Sequence, residues 1–109
     1  MAEGYAFLMN SRVLLGDRLT ASGQQREALK MYKEAVAFAE EEMQKFPSKR
    51  AQSALASALG RLEWQFVEVG DPNSAIQTLN RAITIREAQL NETPNSTSYR
   101  RELPDWFPP

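Results

Sequence analysis

Cysteine and histidine are both absent from this chain of 109 residues. Without cysteine there is no disulfide, thiolate metal site or thiol nucleophile, and without histidine the commonest metal ligand and the usual proton shuttle of enzymes are missing. A hydrolase triad or a zinc hydrolase therefore cannot be assembled from these residues. A Gly-rich phosphate loop is missing as well. The sequence predicts that the chain is not an enzyme and has no cofactor, no metal and no small-molecule substrate.

Long apolar runs and a strong net charge are also absent. No run of about 18 apolar residues occurs, and the start, MAEGYAFLMNSR, lacks the basic flank and apolar segment of a signal peptide. We therefore expect a cytoplasmic protein with no membrane partner. The formal net charge is -1, so nucleic acid is not attracted by bulk charge. The basic pairs Lys49-Arg50 and Arg100-Arg101 fall short of a nucleic-acid footprint.

What the chain does have is an internal repeat at an offset of 47 residues. Matches that cluster at small, turn and core residues indicate a structural repeat, here within a single domain over 1–109. The identical pairs are Leu8/Leu55, Leu15/Leu62, Gly23/Gly70, Ala28/Ala75, Ala35/Ala82, Glu40/Glu87 and Pro47/Pro94, and the conservative ones are Leu19/Phe66, Leu29/Ile76, Val36/Ile83, Phe38/Ile85 and Met43/Leu90.

Each unit has the pattern of two helices. Apolar and small residues recur at steps of three and four, which places them on one face of an α-helix. Gly23 and Gly70 suit the left-handed position that closes a helix, Ser48 and Asp71 suit N-caps, and Pro72 suits a first turn. The sequence predicts an all-α fold with helices over 4–21, 24–46, 48–69 and 72–92.

The repeated alanines predict how these helices pair. A core that only buried area would carry Leu at these places, whereas Ala lets two helix backbones approach closely. We expect two stacked antiparallel hairpins, 4–47 and 48–94, followed by a capping segment over 95–109. In that segment Tyr99, Leu103, Trp106 and Phe107 are expected to cover Leu79, Ile83 and their neighbours.

These residues resemble the tetratricopeptide repeat family, whose pattern has a Leu-Gly pair, a turn Gly and two Ala flanking an aromatic. The corresponding residues are Leu15-Gly16, Leu19, Gly23, Ala28, Tyr32 and Ala35 in the first unit and Leu62, Phe66, Gly70, Ala75, Leu79 and Ala82 in the second. The sequence departs from the pattern at Glu63, which takes the place of the Gly, and at Leu19 and Leu79, which take the places of aromatic residues. The closing prolines, Pro47 and Pro94, also come about two helical turns later than in the family. The long 47-residue unit is similar to repeats in tandem arrays of bacterial signalling proteins. The resemblance implies an α-solenoid fragment, the terminal part of a larger repeat protein, with a non-enzymatic protein-interaction function.

The resemblance also implies a partner-binding face on the first helix of each hairpin. Helical spacing predicts that this face is lined by Asn10, Val13, Asp17, Thr20, Ser57, Arg61, Trp64, Val67 and Glu68. Trp64 lies one position off the core series, so part of its ring is expected at the surface. It is a candidate anchor for a protein or peptide partner, and packing in the core or against the tail is the competing interpretation.

Two further interpretations concern the rest of the chain. The acidic run Glu40-Glu41-Glu42 cannot converge on one metal, because consecutive helical positions point about 100° apart. We interpret it as a solvated helix face. The alternative to an interaction module is a self-contained helical bundle that serves homodimerisation, which predicts a dimer at all concentrations where the interaction module predicts mostly monomer. The first helix lacks a neighbour on its outer side, which leaves an open end for self-association.

Overall fold

The computed structural model describes residues 2–92, and these residues form four α-helices without any strand. The helices are α1 (Ala2–Ala21), α2 (Gln25–Lys45), α3 (Lys49–Glu68) and α4 (Pro72–Glu92). The predicted all-α fold is confirmed, and every predicted helix end lies within two residues of the observed one. The predicted capping segment over 95–109, with its contacts to Leu79 and Ile83, lies outside the described residues.

The turns inside the two hairpins have the same backbone hydrogen bonds at the repeat offset. Gly23 and Gly70 have φ angles of 82° and 81°, the left-handed conformation that glycine adopts without strain. The closing bonds are Gln24 N to Leu19 O (2.8 Å) and Gly23 N to Thr20 O (3.0 Å) in the first turn, and Asp71 N to Phe66 O (2.9 Å) and Gly70 N to Val67 O (3.1 Å) in the second.

The predicted N-caps are also confirmed. Ser48 accepts a hydrogen bond from Ala51 N (2.9 Å) at the start of α3. Asp71 accepts one from Ser74 N (3.2 Å) at the start of α4, whose first residue is the proline at 72. Such side-chain acceptors satisfy backbone N–H groups that have no partner within the helix.

Contacts along α1 and α2 show that the first pair of helices is antiparallel. Arg12 of α1 forms an ion pair with Glu34 of α2 (2.7 Å). Further along α1, Asp17 accepts a hydrogen bond from Tyr32, which lies nearer the start of α2. In the remainder of the stack, α3 packs on α2, and α4 packs on α3. Each helix is therefore covered mainly by its neighbours in the chain.

The core is built from small residues with a few larger ones between them. Its members among the described residues are Met9, Ala28, Tyr32, Ala35, Val36, Ala39, Leu55, Ala58, Leu59, Leu62, Phe66 and Ala75. Of the repeated alanines, three are buried and Ala82 is half-buried. Gly16 is equally close-packed, because a Cβ atom there would lie 2.7 Å from the Tyr32 ring. Small side chains thus occupy much of the contact area between neighbouring helices.

The prediction that Glu40-Glu41-Glu42 is a solvated face is wrong for Glu42. Its side chain is 1% exposed and forms an ion pair with Arg50 at the start of α3. The chain reverses direction between α2 and α3, which brings this cation over the last turn of α2. Burial of a carboxylate requires such a partner, because an unpaired charge would lose its hydration without compensation. Glu40 and Glu41 stay partly exposed and pair with Arg81 and Lys45.

Candidate functional site

The nine predicted surface residues occupy one side of α1 and α3, but they differ in exposure. The exposed ones are Asn10, Ser57, Arg61, Trp64, Val67 and Glu68, and the half-buried ones are Val13, Asp17 and Thr20. The exposed set is therefore concentrated on α3. We define the α3 strip as Ser57, Arg61, Trp64 and Glu68, which recur at helical spacings of four and three and so share one face.

Two polar contacts join α1 directly to α3. Arg61 donates to Asp17 through Nη1 (2.7 Å), and Thr20 donates through Oγ1 to Oε1 of Gln65 (3.2 Å). Thr20 follows Asp17 on α1 just as Gln65 follows Arg61 on α3, so α1 and α3 run parallel. Asp17 and Thr20 of the predicted set are thus engaged by α3 and are not free surface, whereas Asn10 is exposed.

The Asp17 carboxylate is the most highly connected of the predicted residues. Its Oδ1 atom accepts a hydrogen bond from the Tyr32 hydroxyl (2.5 Å) in addition to the one from Arg61 (2.7 Å). Burial raises the pKa of Tyr32 above its ordinary value, and the hydrogen bond to Asp17 raises it further. The phenol therefore stays protonated and donating at neutral pH. The carboxylate is held as part of the scaffold, where it fixes the position of the Arg61 guanidinium.

Gln65 is a structural residue of this region that the sequence did not reveal. Its side chain is fully buried, and Nε2 donates to the backbone O (3.0 Å) and to Oε1 (2.6 Å) of Gln25, while Oε1 accepts from Thr20. One amide therefore connects α1, α2 and α3. A signal was present in the sequence, since Gln65 continues the buried series of Ala58 and Leu62 at helical spacing.

Trp64 is 61% exposed, so among the described residues nothing encloses its ring. Part of the ring was expected at the surface, and the structure places most of it there. Val67, one turn away, is 53% exposed and extends the apolar area. Arg61 and Glu68 supply charges of opposite sign on either side. The arrangement is an apolar centre with a mixed polar rim, mounted on a helix.

Two clefts lined by described residues on another part of the stack are small. The larger of these two has a volume of about 200 Å³ and is lined by Glu40, Met43, Gln44, Leu55 and Arg81. Its charged groups already pair with each other, at 3.1 Å between Arg81 and Glu40. Pockets that enclose a drug-sized ligand are usually about 300–1,000 Å³. Over residues 2–92 the carboxylates form no group suited to a metal ion, and none of the four helices is long and apolar enough to cross a membrane.

No protein-family model, curated protein or solved structure matches this chain. The resemblance to tetratricopeptide repeats therefore depends on the residues and the repeat offset alone, and remains a prediction.

Proposed function

We propose that this chain is a non-enzymatic protein–protein interaction module of the tetratricopeptide type, and that the α3 strip binds a protein or peptide partner. The observation that carries the proposal is the 61% exposed Trp64 ring. A large indole in water is unfavourable, and tryptophan contributes disproportionately where two proteins meet. Because Trp has only two side-chain torsions and sits here on a helix, ordering it on binding costs little entropy.

The surroundings of Trp64 support recognition of a polypeptide. Arg61 is held by Asp17 through one of its nitrogen atoms, which leaves other guanidinium N–H groups for backbone carbonyls of a partner. Glu68 lies one turn from the indole and can accept hydrogen bonds from partner N–H groups. An apolar centre surrounded by polar groups is the usual composition of a protein interface. We therefore infer a partner segment with an apolar side chain for Trp64 and polar groups on either side.

The repeat supports the wider context of this proposal. The two hairpin turns share their backbone hydrogen bonds at the repeat offset, and both hairpins keep buried alanines at Ala28 and Ala75. We propose that the chain is part of a larger bacterial repeat protein of the cytoplasm, in which consecutive hairpins together present a binding surface. On this proposal the chain contributes rigidity and spacing, and the partner supplies any chemistry.

Selection of displayed random peptides on the immobilised full chain tests the proposal. The selected peptides are then titrated into a Trp106→Phe variant, in which Trp64 is the single indole, and Trp64 emission is followed. We expect a shift of emission to shorter wavelength on binding, because the ring leaves water. In the Trp64→Ala variant the affinity should fall by at least about tenfold, as for an interface anchor.

Phe46→Ala is the matched control, because Phe46 is 43% exposed and lies outside the α3 strip. Binding should survive this change. The circular-dichroism spectrum and the melting temperature should be nearly unchanged in Trp64→Ala, since the exposed ring contributes little to the packing of the core. Peptides that bind Trp64→Ala as tightly as the parent, or a selection that enriches no binder, would contradict the proposal.

A further inference from the structure

Most of the exposed large apolar side chains lie on two faces at opposite ends of the helix stack. Among the described residues nine such side chains are exposed, and eight of them belong to these faces. The leading face consists of Phe7, Leu14 and Leu15 on α1, and the trailing face consists of Trp64 and Val67 on α3 with Ile76, Leu79 and Ile83 on α4. Apolar patches of this kind mark interaction surfaces.

The trailing face corresponds to a face that is covered inside the chain. On α2, Tyr32 and Val36 are 4% and 3% exposed, and Leu29 is half-buried against the core. The second hairpin packs on this side of α2, as the hydrogen bonds between Gln25 and Gln65 show. The positions 47 residues later are Ile76, Leu79 and Ile83, with exposed fractions of 57%, 42% and 42%. The α4 surface thus has the same apolar positions as α2, but no helix among residues 2–92 packs on it.

The leading face corresponds to the surface of α3 that packs on the first hairpin. Leu62 is 6% exposed and Ala54 is half-buried against the core. The residues 47 positions earlier are Leu15 and Phe7, which are 44% and 72% exposed. By repeat position, each exposed face therefore corresponds to one side of the junction that the chain forms between its own two hairpins.

A pair of correlated substitutions indicates that the two faces fit each other. Inside the chain, Asp17 of α1 meets Arg61 of α3 as an ion pair at 2.7 Å. At the repeat offset, Trp64 takes the place of Asp17 and Leu14 takes the place of Arg61. Both members of the pair change from charged to apolar. If a leading face packed on a trailing face in the same geometry, Leu14 would meet Trp64 and no charge would be left unpaired there.

We propose that copies of this chain associate head to tail, the leading face of one copy packing on the trailing face of the next as the second hairpin packs on the first. This inference goes beyond the proposed function, since the partner is a second copy and the contact includes the outer side of α4. The two faces are different, so the contact is heterologous. Heterologous contacts that do not close into a ring continue as open chains.

The same mapping puts Arg18 where Gln65 is buried and also brings two carboxylates together. The second of these unfavourable contacts makes the geometry testable. Inside the chain Arg81 pairs with Glu40 at 3.1 Å. The corresponding groups across a head-to-tail contact are Glu34 of one copy, which also pairs with Arg12 of its own chain, and Glu87 of the next, so a second carboxylate approaches Glu34. Glu87→Arg converts this repulsion into an ion pair. We expect that variant to associate several-fold more tightly than the parent, with the difference reduced by salt.

The decisive experiment combines two variants of the full chain, Leu14→Glu in the leading face and Ile83→Glu in the trailing face. Sedimentation velocity of the parent should show an average mass that rises with concentration beyond that of a dimer. Each variant alone should weaken association by at least about tenfold, because a charge is placed in an apolar contact. An equimolar mixture should recover a 1:1 dimer, since each variant retains the face that the other lacks.

Gln77→Glu, which adds the same charge to an exposed position elsewhere on α4, is the matched control and should associate like the parent. Circular dichroism confirms that each variant is folded. A parent that stays monomeric overturns the inference, and so does a mixture of the two variants that recovers no association. A closed dimer that is disrupted by Ile83→Glu but not by Leu14→Glu also overturns it. Association that appears only after deletion of 93–109 also overturns it, because that result would mean that the C-terminal segment occupies the trailing face in the full chain. Association of this kind would cover Trp64, but Leu14 and Ile83 are outside the α3 strip. Peptide binding can therefore be measured in either weakly associating variant, and the two proposals can fail separately.

Discussion

The two hairpins have the same turn geometry but different contacts behind it. In the first, Gly16 lies against the ring of Tyr32, whose hydroxyl is bonded to Asp17. In the second, Glu63 and Leu79 hold the corresponding positions, and Leu79 is 42% exposed. The glycine–tyrosine contact is therefore specific to the first hairpin. The two hairpins thus share the turn and a buried first alanine, and they differ in the contacts behind the turn.

The second helices of the hairpins also begin differently. The residue before α2, Gln24, makes no side-chain hydrogen bond to the helix. The corresponding Asp71 bonds to both the backbone N–H and the hydroxyl of Ser74 (3.2 and 2.7 Å). The start of α4 is thus stabilised locally, whereas α2, covered on both sides by α1 and α3, depends on tertiary packing.

The largest expected effect is a difference in the free energy of unfolding lost when the second alanine of each hairpin is replaced by leucine. Ala35 is fully buried and Ala82 is half-buried. Overpacking a core position costs about 1–3 kcal/mol, so we expect Ala35→Leu to lose about 3 kcal/mol and Ala82→Leu about 1 kcal/mol of unfolding free energy. Urea unfolding followed by circular dichroism measures both. Equal losses would show that the two hairpins are packed alike despite the difference in exposure.

A smaller effect on the free energy of unfolding is expected for Gly16→Ala, and its sign should be opposite to the usual one for such a substitution. Replacing a helical Gly by Ala normally stabilises by about 1 kcal/mol. Here the added Cβ would lie 2.7 Å from the Tyr32 ring, and the overlap should reverse the outcome to a loss of about 1 kcal/mol. In a Tyr32→Leu background, which copies the second hairpin, Gly16→Ala should stabilise. A stabilising Gly16→Ala in the parent would show that the ring yields easily and that the contact is not tight.

The smallest effect concerns the cap of α4 and appears as a dependence on pH. Hydrogen bonds from the side chain and backbone of Ser74 lower the pKa of Asp71 below its usual 3.8. A carboxyl whose pKa is lowered by folding contributes stability that is full above its unfolded pKa and is lost as pH falls through the folded value. We therefore expect this contribution to begin to decline at about pH 4 and to be lost progressively as the pH falls further. Asp71→Asn keeps the cap but cannot titrate.

Urea midpoints measured across the acid range should consequently fall less steeply for Asp71→Asn than for the parent. The same decline in both proteins would show that other carboxyl groups account for the acid sensitivity.

Features governed by local chemistry were predictable from the sequence. The left-handed glycines, the Ser48 and Asp71 caps and the start of α4 at Pro72 depend on residues within a few positions of each other, and all agree with the structure. The burial of Glu42 was missed because its partner, Arg50, reaches it across the corner between α2 and α3. Periodicity reports which way a side chain points, whereas burial also depends on what folds back over it.

The predicted surface illustrates the same limit. Helical spacing grouped Asp17 with Trp64 as equivalent members of one face. The spacing could not show that Asp17 is held by Arg61 of the following hairpin while Trp64 has no such neighbour among residues 2–92. Equivalent positions in a repeat differ in environment according to whether another unit packs beside them, which a single unit's sequence does not encode.

The buried amide of Gln65 has a consequence for how the molecule unfolds. An apolar junction can slide or rotate slightly at small cost, but an amide that bonds to Thr20 on α1 and Gln25 on α2 has few satisfactory positions. Separating the hairpins would break these bonds while the two halves of the core come apart. We therefore expect the hairpins to unfold as one cooperative unit, and amide hydrogens in the middle of α1 and α3 should exchange with a common opening free energy equal to that of global unfolding.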